Sequence, residues 1–193
     1  MENCIRAEIP NLTVYAFSTE NWQRAEDEVS GLINLMKYYL EKKIADIKKN
    51  QIRFKVIGDY SAFPKDVVTQ IDQLIADTAD FEKLTLCIAL NYGARQEITN
   101  AVKAIATQVQ SGKIHTDDIT PDTISKNLMT ADIPDPDLLI RSSGECRLSN
   151  YLLWQLSYTE LYFTEILWPD FDAAALGEAI ATYTKRHRRY GAN

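Results

Sequence analysis

Two histidines and three cysteines among 193 residues leave little for several kinds of chemistry. A zinc site needs clustered nitrogen or sulfur ligands. Cys4, Cys87 and Cys146 are odd in number and widely spaced, which suits neither such a site nor a disulfide framework, so a reducing cytoplasm is expected. A Ser-His-Asp hydrolase needs an imidazole base, yet His115 and His187 both lie outside the polar segments that follow the predicted strands. His115 reads as a surface residue. There is no Gly-x-x-x-x-Gly-Lys-Ser/Thr loop and no Gly-x-Gly-x-x-Gly after a strand, which argues against a nucleotide triphosphatase or a dinucleotide enzyme. No window of about 18 apolar residues occurs, and the first residues lack a charged-then-apolar signal pattern; neither a membrane span nor export is expected. Positive charge is also short, with 21 Lys and Arg against 27 Asp and Glu. A net charge of −6 and a pI near 5.0 argue against nucleic acid, whose binding calls for a basic stripe. The run Lys185-Arg186-His187-Arg188-Arg189 reads as a solvated helix end that complements the macrodipole.

What is present has ordinary globular proportions, 46% hydrophobic and 25% charged, in a length that fits one domain spanning residues 1–193. Leu12–Phe17 reads as a strand, and Val29, Leu32, Ile33, Met36, Leu40, Ile44 and Ile47 recur at helical steps over Glu28–Ile47. A strand over Ile52–Ile57 ends in Gly58-Asp59, and Pro64 starts a helix carrying Val67, Val68, Ile71, Leu74 and Ile75. Leu84–Leu90 is almost wholly apolar, as a strand covered on both faces should be. After Asn91-Tyr92-Gly93 a helix runs to about Gly112, and Thr120-Pro121 caps a short helix through Leu128. Leu138–Arg141 is the next strand, Leu161–Ile166 one more, and Asp172–Arg189 a closing helix capped by Asp172. Strands alternating with helices predict an α/β fold with a mainly parallel central sheet flanked by helices, whose ligands bind beyond the carboxyl ends of the strands.

Polar segments fall at those ends three times: Ser18–Arg24, Asn91–Arg95 and Arg141–Asn150. In the last of these, Arg141 and Arg147 flank Ser142, Ser143 and Gly144 and lead into Ser149 and Asn150. Guanidinium forks, small hydroxyls and a close backbone match phosphate oxygens. The same arginines could equally pair with Asp135, Asp137 or Glu145 on a loop. Glu160 is the one carboxylate in the apolar run that follows, and it needs a cationic partner.

Taken together, Phe17-Ser18-Thr19-Glu20-Asn21-Trp22-Gln23-Arg24, Ile57-Gly58-Asp59, Asn91-Tyr92-Gly93, Asp137-Leu138-Leu139-Ile140-Arg141, Arg147-Leu148-Ser149-Asn150 and Glu160-Leu161-Tyr162-Phe163 resemble bacterial cis-prenyltransferases of the undecaprenyl diphosphate synthase type. The likeness runs from about Leu12 to Gly191. It implies Mg²⁺-dependent condensation of isopentenyl diphosphate with an allylic diphosphate such as farnesyl diphosphate. It implies that Arg141, Arg147 and Ser149 hold the isopentenyl diphosphate and that Glu160 helps hold Mg²⁺. Asn21 and Arg24 would lie beside the reacting carbons and diphosphates, Ser18 and Trp22 would join Arg24 in binding substrate, and Trp22 and Glu28 would support that mobile loop. Ala16 and Leu84 would line an apolar product tunnel between sheet and helices. Arg189 and Gly191 match an Arg-x-Gly ending that reaches toward the active site of the partner subunit, where they would bind substrate. A homodimer is implied, as is a cytoplasmic protein with peripheral membrane contact through its lipid product. The seven aromatics from Tyr151 to Phe171 also favour a subunit contact in that region.

Three departures qualify the likeness. The family's Asp-Gly-Asn-Gly-Arg-Trp-Ala loop, which binds metal and allylic diphosphate, does not occur here, and Met1–Glu8 resembles the tail of the helix that follows it. On that ground no turnover is expected from these 193 residues alone, and a non-catalytic diphosphate-binding or partner-stabilising homologue is the alternative. Ala25 replaces a usual proline, and Ala94 replaces a frequent second glycine and is expected to strain its loop.

Overall fold

A computed structural model describes residues 1–186, so Arg189, Gly191 and the last part of the expected closing helix lie outside the described residues. The chain divides into two compact units, Met1–Ala131 and the portion from Asp132 onward.

The first unit opens with α1 (Glu2–Arg6), a single turn of helix, and then β1 (Asn11–Ser18), α2 (Glu26–Lys49), β2 (Ile52–Ile57), α3 (Lys65–Asp77), β3 (Leu84–Tyr92), α4 (Ala94–Gln110) and α5 (Pro121–Ser125). Its three strands are all parallel in the order β1-β3-β2. The most apolar strand takes the centre, flanked by a strand on each edge. Leu84, Leu86, Cys87, Ala89, Leu90 and Tyr92 of β3 are accordingly buried. The parallel register puts Leu12, Leu86 and Phe54 in one row and Val14, Ile88 and Val56 in the next. Alternation places both rows on the same face of the sheet.

Helix α3 closes this core with Val67, Ile71 and Leu74, spaced four and three residues apart and all buried. Each contributes about 1.5–3 kcal/mol of burial. Lys37–Asp66 and Lys48–Asp77 ion pairs link α2 to α3 at two levels. Along its apolar stripe α2 buries only Val29 and Ile47; Leu32, Ile33, Met36, Leu40 and Ile44 between them are half-buried.

The second unit holds β4 (Leu138–Arg141), β5 (Glu160–Phe163) and α6 (Ala173–Thr184), with β4 and β5 parallel. Strand β5 begins one residue earlier and ends three earlier than expected. Past Phe163 the chain turns to bond the loop that follows β4, with Ser143 N–H donating to the Ile166 carbonyl and Gly144 N–H to the Thr164 carbonyl. Asp172 caps α6 as expected, accepting from Ala174 and Ala175 N–H at 2.9 and 3.0 Å. The helix ends at Thr184, and two residues later Arg186 bonds back to the Leu161 carbonyl of β5. Among the described residues, no helix is long and apolar enough to cross a membrane.

Candidate functional site

In the first unit, two of the three polar segments come together at the carboxyl ends of β1 and β3. Thr19–Gln23 is a 3₁₀ turn that starts as β1 ends. Asn21 Oδ1 accepts the Ser18 N–H at 2.7 Å, and Arg24 N–H closes the turn onto the Asn21 carbonyl at 3.1 Å. Small polar residues commonly make such local bonds in place of helix or ladder. Trp22 lies in an aromatic cluster, its ring centroid 5.1 Å from Phe17 and 5.6 Å from Phe63. Arg24 is ion-paired with Glu28, four residues on. Both side chains are half exposed, which makes the pair worth little to stability and leaves the guanidinium accessible.

Asn91 ties the strand ends together. Its Oδ1 accepts the Trp22 indole N–H at 2.8 Å, and its Nδ2 donates to the Asp59 carbonyl at 2.8 Å. Asp59 N–H in turn donates to the Asn91 carbonyl at 3.3 Å. Asn91 has φ 47°, in the left-handed region, so the strain expected at Ala94 falls three residues earlier. Ala94 is an ordinary buried first residue of α4. Gly58, at φ 103°, is needed on the β2 side, because a Cβ there would run into the Leu90 carbonyl. Behind these ends the carboxylate of Glu97, also buried, accepts from Tyr92 Oη–H at 2.6 Å and from Met129 N–H at 2.9 Å. Sequence reading named Asn91 and Asp59 only as motif letters. An Asn-Tyr-Gly immediately after a buried strand was the available signal, since asparagine tolerates left-handed backbone and offers both donor and acceptor.

The third segment belongs to the second unit. Arg141 is the last residue of β4, and its Nε is buried with no hydrogen-bond partner among the described residues. Beyond it Ser143, Gly144, Ser149 and Asn150 all have positive φ, so the loop coils tightly. Glu165 lies against Gly144, where a Cβ would collide with its carboxylate. Arg147 pairs with Glu145, one of the loop acids the sequence offered, and both are solvent-accessible. Ser149 is exposed. Glu160, the first residue of β5, does have a cationic partner, which is Arg186. That guanidinium donates to Glu160 Oε2 and to the Leu161 carbonyl, both at 2.8 Å. Nothing in the sequence singled out Arg186 from its basic run, because the pairing depends on where α6 ends.

Ala16 and Leu84 sit at opposite ends of their strands. Ala16 is exposed where the β1–β3 register slips, and Leu84 is fully buried at the start of β3. Among the described residues, no group of three or more His, Cys, Asp or Glu could hold a metal ion by itself. His115 is a surface residue, capping a short turn with its Nδ1.

Residues 1–191 match the prenyltransferase family described as "Putative undecaprenyl diphosphate synthase". An isoprenyl transferase of Streptococcus thermophilus is 48% identical over 184 residues, covering 93% of this chain and 74% of that protein. Another from Nitrosomonas europaea is 48% identical over 188 residues, covering 97% and 70%. Among solved structures, lavandulyl diphosphate synthase from Lavandula x intermedia, in complex with dimethylallyl diphosphate, superposes with a TM-score of 0.94 at 36% identity, covering 98% of this chain and 82% of that one. A probable undecaprenyl diphosphate synthase from Campylobacter jejuni gives 0.88 at 34% identity, covering 99% and 88%.

Proposed function

The chain belongs to the undecaprenyl diphosphate synthase family of prenyltransferases, and from that premise we propose that it joins isopentenyl diphosphate to an allylic diphosphate of the farnesyl type, lengthening a polyprenyl chain with new cis double bonds. The product would be a lipid carrier such as undecaprenyl diphosphate. The observation that carries the assignment of the diphosphate site is Arg141, whose buried Nε has no hydrogen-bond partner among the described residues. A buried donor left unsatisfied costs about 1–3 kcal/mol, more when charged, and a bound anion would recover it. Arg147 is the second fork and Ser149 a hydroxyl donor on the same loop. The half-buried Glu145 carboxylate holds the exposed Arg147 only weakly and yields it to a doubly charged ligand.

Ionising an allylic diphosphate builds negative charge on the leaving group, and aimed cationic donors stabilise that charge. Arg24, half exposed on the turn after β1, is assigned to that leaving group, with Asn21 beside the reacting carbons and Ser18 and Trp22 holding the turn. Mg²⁺ commonly takes one carboxylate together with substrate phosphate oxygens, and Glu160 offers such a carboxylate once Arg186 releases Oε2. Bound there, the ion would neutralise charge on the diphosphate. The growing chain would lie along the half-buried stripe of α2 and the apolar rows of the sheet, with Ala16 and Leu84 among the lining positions. Each added methylene favours burial by about 0.8 kcal/mol.

A second copy of the chain would cover Tyr158, Leu167 and Trp168, which are 72%, 56% and 59% exposed. Arg189 and Gly191 are assigned to that subunit contact by family likeness alone. The setting would be cytoplasmic, with peripheral contact at the inner membrane face through the product. Calorimetric titration with isopentenyl diphosphate tests the assignment. Arg147→Ala and Arg141→Ala should each weaken binding by about 1.5–3 kcal/mol, the range for charged hydrogen bonds. Unchanged affinity in both would remove this loop as the diphosphate site.

A further inference from the structure

We propose that Asn91 is a positioning residue for prenyl transfer: it fixes the rotation of Trp22 and through it the placement of Asn21 and Arg24. The indole N–H can only donate and a main-chain carbonyl can only accept. The residue between them must therefore accept at one atom and donate at the other, and Asn91 does so to Trp22 and Asp59, each at 2.8 Å. These two partners also settle which way the amide faces, because the flipped amide would set two donors against each other and two acceptors likewise. Aspartate cannot donate to the Asp59 carbonyl, and leucine can satisfy neither partner. The left-handed φ of 47° is a second requirement, and among residues with such an amide asparagine meets it most readily. Backbone and side chain thus ask for the same residue.

The ring cluster shows why Trp22 needs this bond. Phe17 and Phe63 hold the indole by its edges and faces, 5.1 and 5.6 Å away between centroids. Such contacts resist withdrawal of the ring but oppose its rotation only weakly. The directional bond to Asn91 supplies the missing constraint. Trp22 shares one short 3₁₀ turn with Asn21 and is followed two residues later by Arg24, whose N–H closes that turn. A change in ring rotation therefore shifts the neighbours that the prenyl-transfer reading places at the reacting groups. The proposal rests on that reading for its kinetic consequence but not for its structural one.

The test uses the protein labelled with ¹⁵N-tryptophan, in which Trp22, Trp154 and Trp168 give three indole signals. The signal missing in Trp22→Phe identifies Trp22. Asn91→Gly deletes the amide at a φ that glycine adopts freely; it should move the Trp22 signal and speed its exchange with solvent by about tenfold or more. In chain-elongation assays Asn91→Gly and Trp22→Phe should each lower kcat by about ten- to a hundredfold, the scale of a small misplacement of reacting groups. The KM for isopentenyl diphosphate should stay within about twofold, and the double variant should be no slower than the worse single one. Asn91→Asp keeps the acceptor and should bring back part of the Trp22 signal position and part of kcat relative to Asn91→Gly. A Trp22 signal unmoved in Asn91→Gly, kcat losses that multiply, or no recovery in Asn91→Asp overturns the proposal. Absence of elongation by the unaltered protein overturns turnover by these 193 residues alone, as the missing Asp-Gly-Asn-Gly-Arg-Trp-Ala loop leads one to expect, and the indole signal then decides Asn91 independently.

Discussion

Replacing Thr78 by valine should destabilise the first unit although it changes neither size nor shape. Thr78 is fully buried just past the end of α3. Its Oγ1 accepts from Phe54 N–H at 3.0 Å and donates to the Leu74 carbonyl at 2.7 Å. Phe54 lies in β2, an outer strand of the three-stranded sheet, so its N–H has no further strand to pair with. With Phe54 itself only 2% exposed, water cannot replace the hydroxyl. Thr78→Val leaves a buried donor orphaned, a loss of about 1–3 kcal/mol. Thr78→Ser keeps both bonds and removes one methyl group, a loss of about 0.8 kcal/mol by transfer with a small cavity contribution added. Urea unfolding should therefore rank the unaltered protein above Thr78→Ser and Thr78→Ser above Thr78→Val. The Phe54 amide should lose exchange protection in Thr78→Val alone. At about 2–4 °C per kcal/mol for a chain of this size, Tm should fall by roughly 2–12 °C in Thr78→Val. If valine proves neutral and serine the worse of the two, methyl packing and not the hydroxyl bridge holds this edge.

Gly58→Ala should lower Tm by about 5 °C or more, since φ 103° alone costs on the order of 1–3 kcal/mol for a residue with a Cβ and the Leu90 carbonyl blocks it as well; an unchanged Tm would mean that the strand ends move apart freely. Hydrogen bonds from Lys37 and Lys48 hold the Asp66 and Asp77 carboxyls below their usual range. Their folded-state pKa values are the lower ones, so the stability they add is present above about pH 4 and lost as pH falls through the folded values. The urea midpoint should drop in that window, by less in Lys48→Met, and an identical drop in that variant would exclude the Asp77 pair as a contributor. Burial pushes the Cys87 thiol up to about 12 and raises Cys4, whereas Cys146 is exposed. One thiol should thus react quickly with a disulfide reagent at pH 8 and the other two only on unfolding; three fast thiols would contradict the packing of β3. Light scattering at micromolar concentration should give twice the chain mass, and a monomer mass would defeat the proposed subunit contact.

Strand and helix positions were legible because each rests on a local pattern. The unbroken apolar run Leu84–Leu90 marked the central strand, the three- and four-residue spacing of Val67, Ile71 and Leu74 marked the buried face of α3, and Asp172 and Thr120 marked helix starts through side-chain oxygens that cap N–H groups. Residue chemistry singled out Arg141, Arg147 and Ser149 as candidates for holding an anion, and the combined motifs pointed to the family that residues 1–191 match. Other features depended on partners distant in sequence. Whether Arg147 meets a ligand or Glu145, whether Glu160 faces a metal ion or Arg186, and where left-handed strain falls near Gly93 are set by how neighbouring segments pack. The end of α6 at Thr184 and the joining of Trp22 to Asn91 across 69 residues belong to the same class. A hydrogen bond has a direction and needs a partner in place, and only the folded chain brings those partners together.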